Sequence, residues 1–163
     1  MMNQHFKQAT GFSLILGYLG ITTMLAGGIT LLPLFTLFFY PEEISQAKYF
    51  IIPGILAILI GYILNFYIRG KEKGQQQKNQ DMVIVLLTWI IAILVSAFPF
   101  VLSGNYSFTQ AIFEATSGLS TTGFSIIDIA NTPNIFFIHR SILLFFGGIG
   151  LVLIMTSVLS DVY

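Results

Sequence analysis

Charged side chains are missing from four long stretches of this chain: residues 8–41, 49–68, 82–113 and 141–160. A helix needs roughly 20 predominantly apolar residues to cross the hydrocarbon core of a bilayer. The pattern therefore predicts four spans, at about 12–38, 49–68, 82–102 and 136–159. The first apolar run is far longer than the ~7–15-residue core of a signal peptide, and no small-x-small cleavage site follows it, so it reads as a retained helix.

Composition agrees with a bilayer as the solvent. Apolar residues make up 55% of the 163, and Asp, Glu, Lys and Arg only 9%, against roughly 25% in an ordinary soluble domain. Seven basic and seven acidic residues cancel. There is no cationic excess to neutralise phosphates, which excludes nucleic-acid binding through a basic face. The absence of cysteine excludes disulfide frameworks, thiolate metal sites and thiol catalysis. Two histidines, His5 and His139, do not make a metal cluster. The expected fold class is an all-α integral membrane protein.

Orientation follows from the basic residues. The segment Arg69–Asp81 (RGKEKGQQQKNQD) holds four of the seven, and the positive-inside rule puts it in the cytoplasm. Lys7 then lies inside as well, and the loop Tyr40–Lys48, with Glu42 and Glu43, lies outside. The expected organisation is two leading helices over 1–68, a cytoplasmic basic linker over 69–81, and a second unit over 82–163.

Residues 103–135 must then connect two spans on the outer side, and they do not read as a simple loop. Ser107-Phe108-Thr109-Gln110 has the form of a capping box, a hydroxyl at the N-cap with glutamine three residues on. A helix from Phe108 to about Leu119 would be about 18 Å long, about half a membrane. It is too short to span and too apolar, with Ala111, Ile112, Phe113, Ala115 and Leu119, to lie in water. Ser120-Thr121-Thr122-Gly123-Phe124 follows, and then Ile126, Ile127 and Ile129 lead back to a turn at Asn131-Thr132-Pro133-Asn134. A half-helix followed by irregular backbone is a re-entrant loop, which must line protein or water because lipid cannot satisfy its polar groups.

The C-terminal end of such a helix carries about half a negative charge and favours a cation. The segment after it can turn successive carbonyl oxygens toward an axis, where they replace the hydration shell of an ion. A glycine suits this backbone because it adopts positive φ at no steric cost. An interfacial helix followed by a Ser/Thr turn accounts for the same spacing.

Phe113-Glu114-Ala115-Thr116-Ser117-Gly118-Leu119-Ser120-Thr121-Thr122-Gly123-Phe124 resembles the first pore loop of the Trk/Ktr/HKT potassium-transporter superfamily, most closely its TrkH members. Arg140 followed by Phe146-Gly147-Gly148-Ile149-Gly150 resembles the next helix of the same family. The resemblance runs through the whole chain in order: two leading helices, then helix, pore helix, filter and helix. It implies that the filter segment is 120–124, with K+ held at Thr121, Thr122 and Gly123 and with Ser120, Glu114, Arg140, Gly147 and Gly148 supporting the pore. It also implies a bacterial plasma membrane, a homodimer of complete subunits and a cytosolic nucleotide-binding regulatory subunit. No organic cofactor and no catalysed reaction are expected. The family's subunit carries four such repeats and this chain shows one, so the chain is expected to be the N-terminal quarter to third of a transporter.

Other features have simpler readings. Gly17, Gly20 and Gly27 fall on one helical stripe suited to close helix contact. Pro33, Pro53 and Pro99 are tolerated as kinks. Gly147-Gly148-Ile149-Gly150 lacks the spacing of a dinucleotide fingerprint and suits bending or close packing. Asn105-Tyr106-Ser107 matches a glycosylation sequon, and His139 is expected at the interface. Glu114 and Arg140 fall at similar depth, and ionisable groups in a membrane are usually paired or facing water. An ion pair between the pore helix and the last span is therefore expected.

The expected function is potassium transport within a TrkH-like uptake system, this chain supplying one of four pore repeats in contact with membrane lipid. Two other readings stand beside it: a small channel made of four chains, each supplying one repeat, and a non-conducting membrane scaffold.

Overall fold

The computed structural model describes residues 11–68 and 78–160. These form five α-helices: α1 (Gly11–Leu31), α2 (Lys48–Ile68), α3 (Lys78–Leu102), α4 (Phe108–Leu119) and α5 (Asn134–Ser160). No strand occurs among the described residues. Among the described residues, four helical segments are long and apolar enough to cross a membrane: Ile15–Phe38, Lys48–Phe66, Val83–Leu102 and Asn134–Leu153. The chain is an all-α membrane protein.

The boundaries differ from the apolar pattern where polar or imino residues intervene. The first span is not one α-helix to residue 38. It changes at Leu32 to a 3-10 segment, Leu32–Phe38, because Pro33 has no N–H to continue the α-helical ladder. A second 3-10 segment, Pro41–Gln46, carries the chain to α2. Residues 69–77 of the basic linker lie outside the described residues, whereas its last four, Lys78–Asp81, form the first turn of α3. Hydropathy cannot see a helix that continues past the apolar core. Pro53 and Pro99 sit inside α2 and α3.

The leading helices pack through glycine. A Cβ added at Gly27 would stand 2.7 Å from the Gly54 carbonyl, and one at Gly20 would stand 2.9 Å from that of Gly61. Small residues let two membrane helices approach at backbone distance. Neither Gly54 nor Gly61 was part of the predicted stripe.

The core lies at the end of the bundle where α4 enters. It joins Phe50 of α2, Ala97 and Phe100 of α3, Ala111, Ala115 and Leu119 of α4, and Ile135, Phe136 and Leu143 of α5. The Phe50 and Phe136 rings stand 5.2 Å apart. His139 is not interfacial as expected: it is fully buried against Phe50 and Phe100. Its Nε2 donates to the Ser96 carbonyl at 2.9 Å, since that oxygen can only accept. Consecutive residues on a helix point about 100° apart, so His139 turns toward α3 while Arg140 turns toward α4. Leu25, Leu56, Leu86 and Phe145 are left on outer faces, as a lipid-facing bundle requires.

Candidate functional site

Helix α4 begins as its sequence dictates. Ser107 Oγ accepts from the Gln110 amide at 3.3 Å, and Gln110 Oε1 accepts from the Ser107 amide at 2.8 Å. This reciprocal cap satisfies two of the amides that a helix start leaves free. From there α4 buries Ala111, Glu114, Ala115, Gly118 and Leu119 against its neighbours.

At its other end the chain folds back on the helix. The amide of Ser120 donates to Thr116 O at 2.8 Å, Thr121 to Gly118 O at 3.0 Å, and Thr122 and Gly123 to Ser117 O at 3.1 and 3.4 Å. Each N–H is thus turned inward. Among the described residues the carbonyls of Ser120, Thr121 and Thr122 accept no hydrogen bond, and residues 120–126 are exposed. Two left-handed residues produce this reversal: Thr121 at φ +58° and Gly123 at φ +82°. Glycine adopts such a φ readily, whereas a β-branched threonine there is strained. Strain of this kind persists only where the surroundings over-determine it, and it clusters at functional sites.

The return limb is strapped by a charged pair. Glu114, fully buried, accepts at Oε1 from the Ser125 hydroxyl at 2.9 Å and the Ile126 amide at 2.6 Å. Its Oε2 lies 3.0 Å from Arg140 Nε. That approach is a charge contact rather than an aligned hydrogen bond, since neither atom has a hydrogen-bond partner. Arg140 Nη2 donates to the carbonyls of Gly123 and Phe124, each at 2.6 Å. The Ser117 hydroxyl also donates to Phe124 O. One carboxylate and one guanidinium therefore hold 123–126 from both sides.

This geometry changes the part expected of Gly123. Its carbonyl was expected to face an ion together with those of Thr121 and Thr122, but it is engaged by a guanidinium. Gly123 supplies the left-handed turn. The unengaged oxygens belong to Ser120, Thr121 and Thr122. They are hard, neutral donors, the type that suits an alkali cation.

Gly147 and Gly148 stand behind the turn. A Cβ at Gly147 would lie 2.1 Å from the Leu119 carbonyl, so the C-terminal end of α4 rests directly on the backbone of α5. At Gly148 the nearest atom would be Thr121 Cγ2, at an ordinary 3.7 Å. Helix α5 runs through both. Just ahead of α4 and of α5, the Tyr106 and Thr132 hydroxyls meet at 2.9 Å. Asp128 closes the next turn by accepting from the Asn131 side chain and the Ala130 amide. Those bonds, the Asn131 one foremost, hold its carboxyl below the usual range.

Sequence reading missed Ser117, Ser125 and Glu43. Ser117 lies three residues after Glu114, and hence on the same helical face, which was a usable signal. Glu43 reaches across 91 residues to Asn134, a separation that no local pattern reveals.

The family model for TrkH, a cation transport protein, matches residues 46–162. The Trk system potassium uptake protein TrkH of Salmonella typhimurium is 30% identical over 151 residues, which cover 91% of this chain and 31% of that protein. The Trk system potassium uptake protein TrkG of Escherichia coli K12 is 30% identical over 137 residues, covering 78% of this chain and 26% of its own length. An uncharacterized cation transporter of Methanocaldococcus jannaschii, MJ1485, is 30% identical over 148 residues, 90% of this chain and 30% of that protein. The chain thus spans about a third of the length of these curated relatives. No solved structure matches it.

Proposed function

The chain belongs to the TrkH family of cation transport proteins, and on that premise we propose that it carries one pore repeat of a potassium uptake system. The observation that carries this reading is the turn after α4, where every amide from Ser120 to Gly123 folds inward and the carbonyls of Ser120, Thr121 and Thr122 are left unbonded on an exposed surface. Carbonyl dipoles replace the water around a dehydrated monovalent cation without the full charge that would trap it. They stand at the C-terminal end of α4, whose dipole adds partial negative charge.

One such turn offers only a part of a coordination shell. The other oxygens come from further pore repeats around the same axis, four in all, and potassium is the transported substrate. The unit 82–163 supplies the filter, the leading helices 1–68 brace it, and the basic linker 69–81 lies in the cytoplasm with the N-terminus. A homodimer and a cytosolic nucleotide-binding regulatory subunit complete the assembly, as the family resemblance implies.

Two experiments test this. In vesicles holding the chain joined to the remaining pore repeats, potassium flux should exceed sodium flux, and no cation flux would overturn the reading. Single cysteines at Gln76 and Ser45 should label from opposite sides of the membrane, Gln76 from the cytoplasm. Labelling of both from outside contradicts the re-entrant topology.

A further inference from the structure

Glu43 lies outside the pore loop and outside the residues that match the family model, on the 3-10 segment Pro41–Gln46 between the leading helices. Its carboxylate nevertheless reaches α5. Oε1 accepts from the Asn134 amide at 2.7 Å and from Asn134 Nδ2 at 2.9 Å, and Oε2 accepts from the Ile135 amide at 2.9 Å. Asn134 and Ile135 are the first two residues of α5, and amides at a helix start have no partner within the helix. A negative charge there also meets the positive end of the helix dipole. The residue just before α5 is Pro133, whose side chain has no oxygen to cap with. The cap is supplied by the leading hairpin instead.

Arg140 is six positions after Asn134 on the same helix, which places it about 9 Å along the axis. An α-helix transmits an axial shift with little loss, so a displaced first turn would displace the guanidinium. The bonds from Arg140 to Gly123 and Phe124 are 2.6 Å long, and they tolerate little movement before their alignment is lost.

We propose that Glu43 is a positioning residue of the pore loop: by clasping the first turn of α5 it sets the height at which Arg140 holds the filter's return limb. The effect on ion selection rests on the transport reading above, whereas the clasp does not. The leading hairpin then belongs to the filter's support and is more than a membrane anchor.

Glu43→Ala and Glu43→Gln, made in the complete transporter, test this with two readouts. The first is hydrogen exchange followed by mass spectrometry on peptides covering 120–128 and 134–140. In Glu43→Ala both peptides should exchange about fivefold faster, the factor expected for losing a helix cap of ordinary strength. Glu43→Gln keeps one acceptor and should fall between Glu43→Ala and the parent; it carries the test if Glu43→Ala does not accumulate. The second readout is the potassium-to-sodium flux ratio per reconstituted protein, which should fall in the same order. A folded variant whose 120–128 peptide exchanges as in the parent, with an unchanged flux ratio, would overturn the positioning role. A parent that passes no cation would overturn the transport reading instead, and exchange would still decide the clasp.

Discussion

Two glycines within one loop–helix unit are needed for opposite reasons. Gly123 has open space where a side chain would stand and a φ of +82°, whereas Gly147 lies within a regular helix with the Leu119 carbonyl 2.1 Å from its missing Cβ. The first is required by backbone conformation and the second by contact. The turn after α4 is accordingly an exposed structure held by directed polar bonds to Glu114, Ser117 and Arg140. The seam between α4 and α5 is a packed structure held by shape. Damage confined to the turn's backbone should alter which ion passes, whereas damage to the seam, or to the buried charge beneath the turn, should alter how much protein folds.

The largest effect should come from the charge that the turn depends on. Glu114→Ala strands Arg140 and removes the acceptor for Ser125 and Ile126, and breaking a buried pair from one side costs about 3–5 kcal/mol. Loss of folded protein in detergent thermal-stability assays is the expected outcome. A variant as stable as the parent would show that the strap is dispensable.

Gly147→Ala should cost about 1–3 kcal/mol, because an overpacked seam must move backbone rather than a flexible side chain. The protein that does fold should keep the parent's potassium-to-sodium flux ratio. A changed ratio at full stability would erase the distinction between seam and turn. Gly148→Ala, one residue on, meets only Thr121 Cγ2 at 3.7 Å. It should stay within about 0.5 kcal/mol of the parent, and a loss as large as that at Gly147 would contradict the packing described for α5.

Much of this was readable before the structure. The four spans follow from missing charge, and α4 starts where Ser107 and Gln110 cap it. The encounter of Glu114 with Arg140 follows from depth alone, since both sit at comparable distances from the same end of the bundle. What could not be read depends on orientation and on distance along the chain. His139 and Arg140 are neighbours in sequence but face different helices, so one is buried and the other borders the loop after α4. The Gly123 carbonyl looked available for an ion because a string of residues does not say where a guanidinium points. Pro33 signalled a change in the first span, but the 3-10 segment there and the reach of Glu43 from Pro41–Gln46 to α5 are tertiary results.

The central claim is that the left-handed turn at 121–123 aims carbonyl oxygens at a potassium ion. The most direct test is the potassium-to-sodium flux ratio of Gly123→Ser in vesicles holding the complete transporter. A Cβ is disfavoured at positive φ by about 1–2 kcal/mol, with no steric neighbour to confuse the result. The turn should relax and rotate the Thr121 and Thr122 carbonyls, lowering the ratio by about tenfold, the equivalent of ~1.4 kcal/mol, while the protein level changes little. An unchanged ratio in well-folded Gly123→Ser protein would mean that residues 120–124 are an ordinary turn and that the ion is selected elsewhere.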